Sequence, residues 1–298
     1  MVFKFLKRAL ALVGIATAAY AAPQAAPAPA AQPALWEVSD PDTTIYLFGT
    51  IHLLPAKHHW RTPTIDKAIA SSDELIVETI IDQQNPQELI AALTRLGYSS
   101  GLPPIEERVD PAKRPLLEAA IAKTPIPRAV FDRMETWAAA FTLLGVQFNA
   151  IGLQGEHGVE QTLRDSFRAD GKPIGQLETN AEQLGFFDTL PEAAQRALLE
   201  GAVETPDEIG AEFAEMLRGW TSGDVDAIAN TFNRGLGESP MLREALLKRR
   251  NANWSRWIEQ RLARPGTTLV AVGAGHLAGE SSVQELLESR GYTVRRVQ

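Results

Sequence analysis

Two stretches of this chain share one pattern. An apolar, β-branched run is followed by glycine, two further residues, histidine and leucine. The first is Thr43 to Leu54, TTIYLFGTIHLL, with Gly49-Thr50-Ile51-His52 at its end. The second is TTLVAVGAGHLAG, with Gly273-Ala274-Gly275-His276. Short apolar, β-branched runs bounded by turn residues predict strands. Ligand sites in open α/β sheets lie just past the carboxyl ends of such strands. The pattern therefore places His52 and His276 at one site, although they are far apart in sequence.

The rest of the patterning surrounds these two units. Leu35 to Val38 and Thr43 to Phe48 alternate as strands across Ser39-Asp40-Pro41-Asp42, a turn sequence, and predict a β-hairpin. Thr62-Pro63 supplies an N-cap and an N1 proline for a short helix. Leu75 to Thr79 predicts a buried strand that ends on Glu78. Pro86 to Phe148 reads as helical, broken at Pro103-Pro104 and at Pro125 and Pro127. Within it Val130, Met134, Trp137, Phe141, Leu144 and Phe148 form a core stripe at helical spacing. Asn149 to Gly155 reads as a loop, and a helix opens at Gly158. Lys172 to Leu177 is a strand ending at Glu178-Thr179. Asn180 to Arg234 is helical, with turns near Pro191, Thr205-Pro206 and Gly223. A long helix spans Leu242 to Leu262, Thr268 to Val272 is the second strand–GxxH unit, and a helix (Val283 to Ser289) and a strand (Tyr292 to Val297) follow. The fold class predicted is α/β: a mixed central sheet with two strand–GxxH units and a large helical insertion.

Composition narrows the partners. The 298 residues carry a net charge of −8 with no long basic stripe, which argues against nucleic acid and anionic membrane surfaces. There is no cysteine, so disulfides, thiolate ligands, a Cys nucleophile and a lipid-modified Cys are all excluded. Lys4, Lys7 and Arg8, the apolar Ala9 to Ala19 and the Ala19-Tyr20-Ala21 cleavage signal predict a signal peptide over residues 1–21. An uncleaved anchor is the other reading. Residues 22–33 form an Ala/Pro-rich linker, and 34–298 the folded domain. The expected location is periplasmic or secreted, with the membrane met only transiently through the signal peptide.

The chemistry follows from residue type. Two neutral imidazoles and a carboxylate make a three-ligand site for a divalent metal with an open position for water, so His52, His276 and Glu78 are the candidate ligands. Such a metal would activate water for hydrolysis. Without one, the same side chains serve as general acid and base. Glu78 also has a structural reading, as half of a buried ion pair. His157 and Glu160 form H-x-x-E, but position 161 is Gln161, and the helix macrodipole alone explains Glu160. His58 and His59 are predicted to be exposed near the rim. Arg250 and Asn251 either belong to a basic helix face with Lys248 and Arg249 or reach inward to a carboxylate or a reacting carbonyl. No G-x-S-x-G, P-loop or dinucleotide-binding glycine pattern lies between a strand and a helix.

Taken in order, LWEV, YLFGTIHLLP, LIVE, GVEQTL, KPIGQLET with the following Gln183, RNANW, VAVGAGHLAG and GYTVRRV resemble the TraB/PrgY/GumN family, related to the TIKI metalloproteases. The resemblance covers Leu35 to Val297. It implies an α/β fold similar to erythromycin-esterase and haem-binding ChaN-like proteins, and metal-dependent proteolysis with Mn²⁺ or Co²⁺ favoured and Zn²⁺ possible. His52 and His276 match the two GxxH histidines, Glu78 the strand-end acid, and Arg250 and Asn251 the R-N pair. Glu160 stands where Asp is common. The expected activity is a metal-dependent hydrolase of peptides, with Glu78, Arg250, Asn251 and Glu160 as catalytic residues. The alternatives are a peptide- or haem-binding protein of the same fold and a metal-free His/Glu esterase.

Overall fold

In the computed structural model, which describes residues 31–81, 86–235 and 240–298, alternate side chains of the two apolar runs enter two different cores. The predicted signal peptide and most of the linker lie outside the described residues. Strands β1 (Leu35–Ser39) and β2 (Thr43–Thr50) form the predicted hairpin, paired from Leu35 with Phe48 to Ser39 with Thr44. A two-residue strand β3 (Leu54–Pro55), helix α1 (Pro63–Ser71) and strand β4 (Glu74–Val77) follow. The Thr62 side chain caps α1 by accepting from the Ile65 N–H at 3.2 Å. Next come α2 (Gln87–Leu96), α3 (Arg114–Ile121), α4 (Arg128–Phe131), α5 (Thr136–Ala150), β5 (Leu153–Gln154), α6 (Val159–Ala169) and β6 (Ile174–Gln176). The helices α7 (Asn180–Asp188), α8 (Glu192–Ala202), α9 (Pro206–Ser222), α10 (Val225–Gly235), α11 (Pro240–Arg243) and α12 (Arg249–Leu262) come next, the last two joined by a π turn over Glu244–Lys248. Strand β7 (Gly266–Gly273), helix α13 (Val283–Ser289) and strand β8 (Val294–Arg296) complete the order.

Six strands form one mixed sheet in the order β6-β4-β7-β2-β1-β8. The first four are parallel, and β1 runs antiparallel to both of its neighbours. Phe48, Leu269 and Ala271 face Trp60, Ile65, Leu163, Phe167 and Trp220 on one side. Ile45, Leu47, Val270 and Val272 face Trp254, Ile258 and Leu262 on the other. Each such burial is worth about 1.5–3 kcal/mol, and a slip of one residue would exchange the two faces. The register of β2 on β7, Thr43 with Gly266 through Thr50 with Gly273, is fixed in this way. It puts the ends of the two GxxH strands side by side.

The helical part departs from the pattern in three places. Arg128 to Phe148 is not one helix: Asp132–Glu135 interrupt it, and Met134 bridges to Tyr98. The buried Arg108 donates to the Asp132 and Met134 carbonyls at 2.6 Å each, which stabilises the break. Phe141 consequently lies at the edge, packed on Phe187, while Leu143 and Gln147 turn inward. The predicted loop from Asn149 to Gly155 contains the end of α5 and strand β5, which pairs with β3. His58, expected to be exposed, is half-buried against Trp220 and meets Thr221 Oγ1 at 3.2 Å. A separate core built largely from α3, α5 and α8 supports the helical insertion. No helix among the described residues is long and apolar enough to cross a membrane.

Candidate functional site

Four parallel strands end on one edge of the sheet, and each delivers a polar side chain there. His52 follows β2, Glu78 follows β4, Glu178 follows β6 and His276 follows β7. Gly273 is the floor between them. A Cβ on it would lie 3.1 Å from Glu78 Oε1, 3.5 Å from His52 Nε2 and 3.7 Å from His276 Cδ2. The three side chains that the sequence pattern singles out thus surround one point.

His52 is the open member, with 64% of its side chain exposed. Its Nδ1 lies 2.7 Å from Glu160 Oε1, and the same oxygen accepts from the Thr50 hydroxyl. Glu160 therefore serves His52, not its sequence neighbour His157. Gly158 caps α6 and separates the two: His157 sits in a 3₁₀ turn before the helix and lines a shallow cleft with His58 and His59. The Glu160 carboxylate is the main reason the His52 pKa is raised, to about 9. The open ring edge keeps water nearby, yet the carboxylate at Nδ1 is close enough to hold an imidazolium at neutral pH.

His276 is the closed member, buried under Trp254 with ring centroids 4.3 Å apart. Its Nδ1 lies 2.6 Å from Asn251 Oδ1, and its Nε2 lies 3.1 Å from Arg250 Nη1. A neutral ring, donating at Nδ1 and accepting at Nε2, satisfies both contacts. Burial is the main cause of its pKa falling to about 3. Asn251 also donates to the Ser281 carbonyl at 2.9 Å, so both ends of its amide are used inside the protein. It sets the tautomer of His276 and does not face the cleft.

Arg250 is the hub. Nε donates to Glu178, Nη1 to His276 Nε2 and, at 3.4 Å, to the Leu246 carbonyl, and Nη2 to Glu78 at 2.7 Å and Glu178 at 2.8 Å. These contacts engage all five of its N–H groups. Burial alone would raise the pKa of Glu78, but the Arg250 guanidinium, His52 and the Gly273 N–H oppose it, and the group stays ionised, at about 2. Glu78 Oε1 also accepts from the Gly273 N–H at 2.7 Å, and Oε2 from Gln183 at 2.9 Å. Burial raises the pKa of Glu178, partly countered by Arg250. Trp254 Nε1 donates to Glu178 at 3.0 Å.

This family of side chains, in this order along the chain, has a name. Residues 34–296 match the model of the TraB/PrgY/gumN family. The chain belongs to that family. It is also 26% identical over 250 residues to the uncharacterized protein YbaP of Escherichia coli K12, covering 81% of this chain and 87% of that protein. The YbaP protein of Shigella flexneri matches to the same extent. No solved structure matches the chain.

A metal at the family's histidines would need His52, His276 and Glu78 to turn free lone pairs to one point. Among the described residues no group of three or more His, Asp or Glu is arranged to hold a metal ion. The reason is visible: the Arg250 guanidinium lies against both Glu78 Oε2 and His276 Nε2. As arranged, these residues do not fit a divalent cation. Glu178 reads in the sequence as a strand end and as part of a motif but not as a site residue, yet it anchors Arg250. One signal could have found it: LIVET and GQLET both run from strand into Glu-Thr, and β4 and β6 are parallel neighbours.

Proposed function

We propose that this TraB/PrgY/gumN-family chain is a hydrolase of peptide substrates, acting in the periplasm or outside the cell through acid–base chemistry at Gly273. The observation that carries the reading is the convergence of Glu78 Oε1 and His52 Nε2 on the point above Gly273, one held ionised and the other held protonated. Two groups whose environments push their pKa values apart divide the roles of base and acid. Glu78 Oε1 has one protein donor, the Gly273 N–H, and keeps a lone pair for water. Water adds to the substrate carbonyl and gives its proton to Glu78. His52 Nε2–H gives its proton to the leaving amine as the C–N bond breaks, releasing an acid and an amine. A second water returns the proton from Glu78 to His52. Glu160 keeps Nδ1 of His52 occupied, as the buried carboxylate does in a hydrolytic triad. The N-terminal signal pattern supports the location.

The test is a peptide and ester library incubated with the purified chain and with His52→Gln and Glu78→Gln. Hydrolysis that falls at least 100-fold in both folded variants supports the reading. Saturable ligand binding without turnover, unchanged in Glu78→Gln, would replace it with a binding protein.

A further inference from the structure

The geometry points to Arg250 as the resident cation of this site, filling with its guanidinium the place that a divalent metal would otherwise take among Glu78, Glu178 and His276. Two carboxylates and an imidazole lone pair surround one positive group, with contacts of 2.7 Å to Glu78, 2.8 Å to Glu178 and 3.1 Å to His276 Nε2. Oxygen and nitrogen donors of this type and number bind Zn²⁺, Mn²⁺ or Co²⁺. Here Glu78 Oε2, both oxygens of Glu178 and His276 Nε2 are turned to a guanidinium.

Three observations argue that the guanidinium is built in and does not merely rest there. Its N–H groups are all engaged, so moving it leaves five donors without partners. It lies over two rings, 4.6 Å from the Trp254 centroid and 5.5 Å from that of Phe186. Its partners are fixed in turn: Glu178 by Trp254, Glu78 by Gln183 and the Gly273 N–H, and His276 by Asn251. A divalent ion placed beside an immobile guanidinium meets like charge at close range. The metal dependence that the family resemblance implies is therefore not a property of this chain in its resting arrangement.

The inference complements the acid–base reading, but it is tested by cation binding and not by turnover, so either can fail alone. The purified chain is titrated calorimetrically with Mn²⁺, Co²⁺ and Zn²⁺, beside His276→Ala, Arg250→Met and Arg250→Met/His276→Ala. The expected results are no isotherm in the native chain that His276→Ala removes, one equivalent bound by Arg250→Met, and loss of that equivalent in the double variant. A visible d–d spectrum should appear on adding Co²⁺ only to Arg250→Met. One equivalent in the native chain that His276→Ala abolishes would overturn the inference, as would a folded Arg250→Met that binds none. If Arg250→Met does not fold alone, it is refolded with Zn²⁺. Recovery of the native circular dichroism with one equivalent supports the inference, and failure to recover overturns it.

Discussion

The carboxylate of Glu160 lies 2.7 Å from Nδ1 of His52 and leaves Nε2 of that ring aimed over Gly273. One contact thus sets both the charge and the direction of the most exposed group in the site. Replacing the carboxylate by an amide removes the main cause of the raised pKa. In Glu160→Gln the alkaline limb of kcat/KM should move from about 9 toward the ordinary histidine value near 6.5. Activity at pH 6 should change far less than activity at pH 8. A pH–rate profile with the limb unmoved would remove Glu160 from this role.

Acid should destabilise the fold through His276 and Glu78. His276 is neutral when folded, with its pKa lowered to about 3 from 6.5, so the unfolded chain takes up a proton that the folded one refuses. That part of the stability is lost progressively from pH 6.5 downward. Glu78, lowered to about 2 from 4.5, contributes stability that is present above 4.5 and lost between 4.5 and 2. His52 has the opposite sign: its contribution is complete below 6.5 and is lost as pH rises through 9. Thermal melts should therefore be highest near pH 6.5. His276→Gln should flatten the decline between 6.5 and 4.5 while leaving the steeper loss below. An unchanged slope in that variant would show that the acid sensitivity comes from elsewhere.

Gly158 is where the backbone of α6 meets the loop carrying His52. A Cβ there would fall inside the van der Waals envelope of the His52 carbonyl oxygen. The neighbouring Val159 N–H donates to the Ile51 carbonyl at 3.0 Å, so the two segments cannot part freely. Gly158→Ala should cost about 1–3 kcal/mol by overpacking. It should also lower kcat more than an equally destabilising change in the separate helical core, because it displaces His52. Urea unfolding read beside kcat separates the two effects, and equal kcat losses would argue that only stability is at stake.

The strands, both GxxH units, Glu78 and the inward reach of Arg250 were legible because each is a local pattern: an apolar run, a glycine, a charge where charge is costly. Partnerships were not. Glu160 reads locally as a neighbour of His157, and only the fold of α6 against the β2 end gives it to His52. Glu178 reads correctly as a strand end, but nothing near it in the sequence shows that it clamps Arg250. The pairing of β3 with β5 rests on two residues from each side, too few to leave a period in the sequence. The break at Asp132–Glu135 depends on Arg108, whose role is set by carbonyls well downstream of it. In each case the deciding contact is between residues distant in the chain, where apolar spacing carries no information.

The central pairing of β2 with β7 joins an early segment of the chain to a late one, from Thr43 with Gly266 to Thr50 with Gly273. Strand β1 likewise waits for β8. During synthesis the first hairpin therefore emerges with its two outer neighbours still unmade, and loop closure must span most of the polypeptide before the sheet is complete. A product stopped short of β7 lacks the strand between β2 and β4, and with it His276 and the Gly273 floor. The edge that carries His52, Glu78 and His276 thus forms only once β7 has been made, whatever the order in which the other strands fold.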